Sequence, residues 1–291
     1  MEFPLSQPVV ARFEFVTEAG STNDVLVQHA TGADASAWPD LSVVVTDNQT
    51  QGRGRLGRTW LAPTGKSLAI SVLLRPELPG GVPLPSHRLG WFPLLAGAAM
   101  TQAVRDSIPA HHTVAGRATA ATTAPATDPE NQPPTHEVTL KWPNDVLIDG
   151  YKVSGVLSEL LPDARGMVIG TGVNLSLSEH DLPTLTSTSL LLVTGTAPVT
   201  DEVLARYLTR FTALYAALLA ADGDPQKSGL HDTVNELCGT LGAVVRVELP
   251  GGTDVIGTAQ SIDEDGRLVV LNHADGEVQA VAAGDVTHLR Y

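Results

Sequence analysis

The stretch VTLKWPNDVLIDGYKVSGVLSELLPDARGMVIGT, from Val138 to Thr171, decides the fold. It contains the strand-like runs Val138 to Trp142, Asp145 to Ile148, Lys152 to Leu161 and Gly166 to Thr171. Asp149-Gly150 separates the second run from the third, and both residue types accept the left-handed conformation of a tight hairpin. These runs predict a largely antiparallel meander.

The pattern continues on both sides. Leu41 to Thr46 and Ser67 to Leu74 read as buried strands, and Arg12 to Thr17 alternates like a third. Ser21, Thr22 and Asn23 precede Asp24-Val25-Leu26-Val27 as a capped helix start does, which puts them on a strand-to-helix corner. Ser86 to Asp106 is helical in pattern, although Pro93 leaves its start open. Downstream, Val203, Leu204, Tyr207, Leu208, Phe211, Leu214, Tyr215 and Leu218 recur every three or four residues behind a capping Thr200, which predicts a core-facing amphipathic helix. A shorter helix is expected over Leu230 to Cys238. After Gly239 the texture changes to short strands over Ala243 to Leu249, Thr253 to Ile262, Arg267 to Asn272, Glu277 to Ala282 and Val286 to Tyr291, which suggest a small β-barrel. The expected division is therefore 1–238 and 239–291. Ala115 to Thr135 holds 15 Ala, Thr or Pro among its 21 residues and no large apolar side chain, so it is expected to be a disordered surface insertion.

Composition narrows the function. The 291 residues are 43% hydrophobic and 17% charged, enough for a substantial core. A net charge of −14 with 4% aromatics lacks the basic face and stacking platforms that nucleic-acid binding needs. The single cysteine, Cys238, permits no internal disulfide and reads as a buried structural thiol. No basic and apolar leader opens the chain, and no run approaches a membrane span of roughly 18 apolar residues, so a cytoplasmic protein without nucleic acid or membrane as partner is expected.

Against that acidic background Gly52 to Trp60 reads GRGRLGRTW, with three arginines and three glycines in nine positions. Arginine keeps its charge and offers a rigid fork of donors, and glycine lets backbone amides approach the same ligand. Six of the 18 Lys and Arg residues (Arg53, Arg55, Arg58, Lys66, Lys141 and Lys152) lie in or near short motifs. A phosphorylated or carboxylated small molecule is the expected ligand. So many like charges on a glycine-rich loop also predict mobility until an anion joins them. Pro63-Thr64-Gly65-Lys66-Ser67 ends like a phosphate-binding loop, but Trp60 stands where that motif needs its first glycine.

Four motifs occur in order: Ser21-Thr22-Asn23; Gln49 to Trp60; Lys141-Trp142-Pro143-Asn144-Asp145, followed by Lys152-Val153-Ser154-Gly155-Val156-Leu157; and Gly170-Thr171-Gly172-Val173-Asn174. Together they resemble the biotin protein ligases. The resemblance implies an α+β fold with a mixed, mainly antiparallel sheet flanked by helices, of the class II aminoacyl-tRNA-synthetase-like kind, followed by a small Src-homology-3-like barrel. It implies formation of biotinyl-5′-AMP from biotin and ATP, with Mg2+ carried by the nucleotide, and transfer to a lysine of a biotin carboxyl carrier domain of acetyl-CoA carboxylase or a related enzyme. Carried over, Ser21, Thr22, Asn23, Gln49, Arg53, Gly54, Arg55 and Lys152 bind biotin, and Arg53, Arg55, Arg58, Trp60, Asn144 and Asn174 bind the nucleotide. Lys152 and Arg55 serve the adenylation chemistry, with Asp145 a candidate for the second half-reaction; Lys141 and Trp142 support their box from behind.

Many members of that family carry an N-terminal helix-turn-helix domain. Here the Ser-Thr-Asn motif begins at residue 21, and a monofunctional ligase that is not a DNA-binding repressor is expected. A monomer and a homodimer are both compatible with the sequence. The nearest alternative is a lipoate or octanoate ligase or transferase of the related fold, which does not typically carry the Gly-Arg loop.

Overall fold

The computed structural model describes residues 1–109, 135–249, 252–282 and 284–289. In chain order its elements are β1 (Arg12–Phe15), α1 (Thr22–Thr31), β2 (Ser42–Thr46), β3 (Ser67–Leu74), the short strands β4 (Glu77–Leu78) and β5 (Val82–Pro83), and α2 (Trp91–Ser107). There follow β6 (Val138–Lys141), β7 (Asp145–Ile148), β8 (Tyr151–Leu160), β9 (Met167–Asn174), α3 (Leu190–Thr194), α4 (Thr200–Ala220) and α5 (Leu230–Leu237). The chain ends with β10 (Val244–Glu248), β11 (Asp254–Ile262), β12 (Leu268–Asn272), β13 (Val278–Val281) and β14 (Asp285–His288). The expected insertion at 115–135 lies, apart from Thr135, outside the described residues.

The main sheet runs β1-β2-β3-β9-β8-β7-β6. Among the described strands of this sheet only β1 and β2 pair in parallel, and β6 to β9 form the meander that the sequence predicts. Alternation along β9 divides the molecule into two layers. Met167, Ile169 and Val173 face the large core under α2 and α4, and Thr171 meets the Tyr207 hydroxyl of α4 at 2.9 Å. Val168, Gly170 and Gly172 face the other way, towards α1, whose Leu26 and Ala30 pack with Trp38, Val44 and Leu73. The glycines leave that second layer unfilled beside α1.

Three expectations shift by a few residues for physical reasons. Helix α1 starts at Thr22 behind the N-cap Ser21, so Thr22 and Asn23 occupy the first turn, where their side chains are free for other work. Pro93 falls in the first turn of α2, after a 3-10 turn over Ser86–Gly90, where its missing N–H leaves no intrahelical bond unmade. The N-cap of α4 is Val199 rather than Thr200. Contrary to the expectation that nothing approaches a membrane span, α4 is long and apolar enough by length and composition to cross one. In the sequence its polar residues, among them Arg206 and Arg210, interrupt the apolar run. Its Val203, Leu204, Tyr207, Leu208, Phe211 and Leu218 are buried in the protein's own core.

The small all-β unit is a five-stranded antiparallel sheet in the order β13-β12-β11-β10-β14. Buried tryptophans tie it to the larger unit. Trp142 Nε1 donates to Gly266 O at 3.0 Å, Trp91 Nε1 donates to Glu264 O at 2.8 Å, and the Trp142 amide donates to Thr240 Oγ1 at 3.0 Å. Cys238 is buried at this junction, and burial pushes its thiol up, away from the reactive thiolate.

Candidate active site

Three glycines make the floor of a cavity of about 760 Å3 on the α1 side of the sheet. Gly155 of β8 pairs with Gly172 of β9, and Gly170 lies two residues further along the same face. Each is a seat. A Cβ on Gly170 would collide with the Asn23 amide, one on Gly172 with the Trp60 indole, and one on Gly155 would come within 2.9 Å of Lys152 Nζ. Glycine inside a strand weakens it, and here the absent side chains make room for three of the predicted functional groups.

Lys152 reaches this floor through a register shift. The β7–β8 ladder pairs Leu147 with Lys152 and Asp145 with Gly155, which requires one extra residue on β8. Lys152 and Gly155 are an odd number of positions apart and would otherwise face opposite sides. The bulge turns Lys152, Asp145, Leu147 and Gly155 to the cavity together. Lys152 Nζ then pairs with Asp145 Oδ1 at 2.6 Å and lies 5.7 Å from the centre of the Trp60 ring. Backbone bonds from Lys152 to Thr186 and from Thr188 to Lys152, 2.8 and 2.9 Å, bring the Pro183–Ser187 segment alongside as a wall.

The closed end is polar. Ser21, Thr22 and Asn23 are buried there. Gln49 Oε1 accepts from the Thr22 amide at 3.0 Å and the Thr22 hydroxyl at 3.2 Å, which leaves the Gln49 NH2 as a donor. Ser71 Oγ lies 2.6 Å from Asn23 Oδ1, and Asn23 Nδ2 donates to Glu159 Oε2 at 2.6 Å. This end therefore presents hydroxyls, one amide NH2 and one amide carbonyl within a small volume.

The Gly-Arg segment is a small hairpin that reaches from the Asn23 end, where Arg53 meets Asp24 and Glu159, to the C-terminal sheet, where Arg55 and Arg58 meet Gly284 and Asp285. Arg53 bridges to Thr59, the Trp60 amide donates to Gly52 O at 2.8 Å, and the tip turns through left-handed Leu56 and Gly57, φ 56° and 72°. Gly52 is obligatory because a Cβ there would overlap the Trp60 carbonyl. The predicted mutual repulsion of the arginines is relieved internally. Arg53 holds Asp24 with two bonds of 2.6 Å and also reaches Glu159. Arg55 donates to Asn144 Oδ1 at 3.0 Å and to Gly284 O at 3.1 Å, and Arg58 pairs with Asp285. Two of these partners come from the C-terminal sheet and its approach.

Hydrogen bonding to Arg53 holds the Asp24 carboxyl below its usual range. Burial works to raise Asp285, but the hydrogen bond and charge of Arg58, with Lys141 and Arg55 behind, outweigh it and hold that carboxyl low. Burial pushes Arg55 and Lys141 down, although Asp145 and Asp285 oppose the shift. Arg55 and Lys141 are thus cations held partly desolvated beside the cavity, where a ligand anion would restore what burial removed.

Of the residues predicted for the site, Ser21, Thr22, Asn23, Gln49, Arg53, Gly54, Arg55, Arg58, Trp60, Asn144, Asp145 and Lys152 line the one cavity. Lys141 lines it too, rather than only supporting from behind. Trp142 is buried and outside the lining of this cavity. Asn174 is not in the lining: it is buried beneath the wall segment, its Nδ2 donating to Thr188 O at 2.9 Å. Lys66 turns to Asp181, 2.6 Å away. Sequence reasoning missed the seating role of Gly155, Gly170 and Gly172, the buried Ser71, and Glu159, Gly284 and Asp285. The glycines were detectable as glycine inside strand patterns; the others carry no local signal. Among the described residues, no group of three or more His, Cys, Asp and Glu could hold a metal ion.

Comparison with known proteins gives a consistent result. The model of the biotin/lipoate A/B protein ligase family matches residues 19–174, and that of the biotin protein ligase C terminal domain matches residues 240–289. The biotin--[acetyl-CoA-carboxylase] ligase of Mycobacterium tuberculosis is 34% identical over 280 residues, covering 96% of this chain and 90% of that protein. A biotin protein ligase from Aquifex aeolicus, solved with biotin and ATP, shares the fold with a TM-score of 0.67 at 24% identity, over 97% of this chain and 100% of that one. A biotin protein ligase from Leishmania major, solved with biotinyl-5-AMP, superposes with a TM-score of 0.55 at 26% identity, over 94% of this chain and 99% of that one.

Proposed function

The chain belongs to the biotin/lipoate A/B protein ligase family, and on that premise we propose that it is a biotin protein ligase that makes biotinyl-5′-AMP and then biotinylates a carrier protein. The observation that carries this reading is the composition of this cavity, which joins an amide-and-hydroxyl end at Asn23 and Gln49, an aromatic ring at Trp60, and a cationic part at Lys152, Arg55 and Lys141. The three parts suit a ureido ring, an adenine and the anions between them.

In the first step an oxygen of the biotin carboxylate attacks the α-phosphorus of ATP, which enters with Mg2+, and pyrophosphate leaves. Both reactants are anionic, so the protein must bring like charges together. Lys152 and Arg55 hold the carboxylate and α-phosphate oxygens, and Arg53 and Arg58 close over them with the hairpin. A charge-assisted bond contributes about 1.5–3 kcal/mol, so each cation aimed at a reacting oxygen is worth roughly ten- to a hundredfold in rate. Trp60 stacks on adenine above Gly172, and Asn144 orients Arg55 towards the nucleotide. Asn174 serves the nucleotide indirectly, by fixing the wall segment.

In the second step a lysine Nζ of the carrier attacks the acyl carbon of the mixed anhydride, and AMP leaves. The attacking amine must lose a proton, and Asp145, at 2.6 Å from Lys152, is the carboxylate placed to receive it. The partner is the biotin carboxyl carrier domain of acetyl-CoA carboxylase or a related enzyme, and the setting is cytoplasmic. The division into a catalytic unit of 1–238 and a C-terminal unit of 239–291 belongs to the same reading.

Biotin is favoured over lipoate because the match to the biotin-ligase C-terminal domain covers residues 240–289, and Gly284 and Asp285 of that unit hold the arginine hairpin. The test is exchange of labelled pyrophosphate into ATP with biotin, lipoate or octanoate as the only added acid. Exchange with biotin alone is the expected result. Exchange with lipoate or octanoate instead would move the chain to the sister activity.

A further inference from the structure

We infer that Glu159 is a positioning residue that fixes which way the Asn23 amide faces, and so makes the closed end of the cavity select a ligand that presents N–H donors. This rests on the reading of that end as the ureido subsite. Glu159 itself is not in the cavity lining, and its carboxylate meets the Asn23 amide and Arg53, both of which are.

An asparagine side chain can face a ligand with its carbonyl or its NH2, and the neighbours decide. Here Asn23 Oδ1 is directed at Gly170 and accepts from Ser71 Oγ at 2.6 Å. Ser71 does not by itself choose between the two orientations, because a hydroxyl both donates and accepts and this one also lies 2.8 Å from Thr22 Oγ1, to which it can give its single proton. Leu157 O, 3.4 Å from Asn23 Nδ2, is a weak acceptor at that distance. The strong contact is the 2.6 Å bond from Asn23 Nδ2 to Glu159 Oε2. A carboxylate that also receives Arg53 has only acceptors to offer, so it draws the NH2 to itself and turns the carbonyl towards the cavity.

The opposite choice is made at Gln49. Its Oε1 is occupied by the Thr22 amide and hydroxyl, so its NH2 remains. The subsite therefore offers one acceptor at Asn23 and one donor at Gln49. A cyclic urea has N–H groups for the first and a carbonyl for the second. A dithiolane ring has neither: the Gln49 NH2 is left without a ligand acceptor and Asn23 Oδ1 keeps only Ser71, which is the costlier error for a buried site.

The experiment compares wild type, Glu159→Gln, Glu159→Asp, Asn23→Ala and the double variant Glu159→Gln/Asn23→Ala. Biotin and N-methylated biotin, which lacks one ureido donor, are titrated calorimetrically into the full-length chain, with thermal melting to confirm folding. Biotin Kd should rise about five- to fiftyfold in Glu159→Gln, and its preference for biotin over the N-methyl analogue should shrink. Glu159→Asp, still acceptor-only, should keep more of that preference. On the Asn23→Ala background Glu159→Gln should add no further loss. A folded Glu159→Gln with Kd within twofold of wild type and an unchanged preference overturns the proposal. So does a full additional loss on the Asn23→Ala background, which would assign the effect to Arg53. If wild type supports no biotin-dependent pyrophosphate exchange, the ligase reading itself fails and takes this inference with it; exchange in wild type with either of the other negative results removes the inference alone.

Discussion

Lys152 and Gly155 face the same cavity although three positions separate them, because the β7–β8 ladder slips by one residue between them. The slip brings the lysine amine to Asp145 at 2.6 Å and beneath the Trp60 ring. One irregularity in a strand thereby gathers a cation, a carboxylate and an aromatic ring that straight alternation would have divided between two faces.

That arrangement separates the two half-reactions. Lys152→Ala should lower biotin-dependent pyrophosphate exchange by about a hundredfold, the upper range for one charge-assisted bond. Asp145→Asn keeps the shape but not the charge, and should slow single-turnover transfer from preformed adenylate to carrier more than it slows exchange. Equal losses in both assays would reduce Asp145 to an anchor for Lys152.

The glycine seats predict substrate-selective defects from the smallest possible substitution. Gly172→Ala displaces the Trp60 ring and should raise the ATP KM about tenfold, with a smaller change for biotin. Gly170→Ala displaces the Asn23 amide and should do the reverse. Steady-state kinetics with each substrate varied in turn provide the check; parallel losses in both variants would mean that the seats are merely structural.

Ion pairing at Asp24 and Asp285 has a defined pH signature. Both carboxyls are held low in the folded protein, so their contribution is present above the ordinary carboxyl range, about 3.9, and fades as pH falls through the lowered value. Wild type should therefore be more stable than Asp24→Asn/Asp285→Asn at pH 7 in denaturant unfolding, by no more than about 2 kcal/mol for two partly exposed pairs. The gap should hold down to about pH 4 and close only below it. Closure already at pH 5 would be inconsistent with arginine-held carboxylates.

Lys141 should reveal its burial chemically. With its amine pushed down by desolvation, its neutral fraction grows at lower pH than that of an ordinary lysine. Competitive acetylation followed by mass spectrometry should show Lys141 gaining reactivity at lower pH than the exposed Lys227, and losing it when ATP and biotin are added. Coincident pH profiles would contradict the shift.

Much of this was legible in the sequence. The β6–β9 meander followed from strand-length runs with one obvious turn; the Gly-Arg loop stood out as an anion-binding stretch against an acidic chain, and the other motifs were joined to it by their resemblance to a family. What escaped was non-local. Glu159 and Ser71 are ordinary residues in strand patterns, and only pairing of β3, β8 and β9 brings them to Asn23. Asp285 is a single acid among many until the C-terminal sheet folds back to meet Arg58. Asn174 shows the converse. Its motif pointed to the site, while a wall segment reached through backbone bonds at Lys152 covers it.

Because Asn23, Trp60 and Lys152 rest on glycines of two paired strands, the sheet sets the spacing between these three groups. Gly170 and Gly172 are two residues apart, about 6.6–6.8 Å of strand, and Gly155 stands across from Gly172 at one inter-strand spacing of roughly 5 Å. Backbone hydrogen bonding fixes these intervals more firmly than any side chain could. On the proposed placement of biotin and ATP, the distance from ring to carboxylate to base is thus set against a lattice the fold already needs, and acids with a longer or shorter tail should be misaligned by that spacing itself.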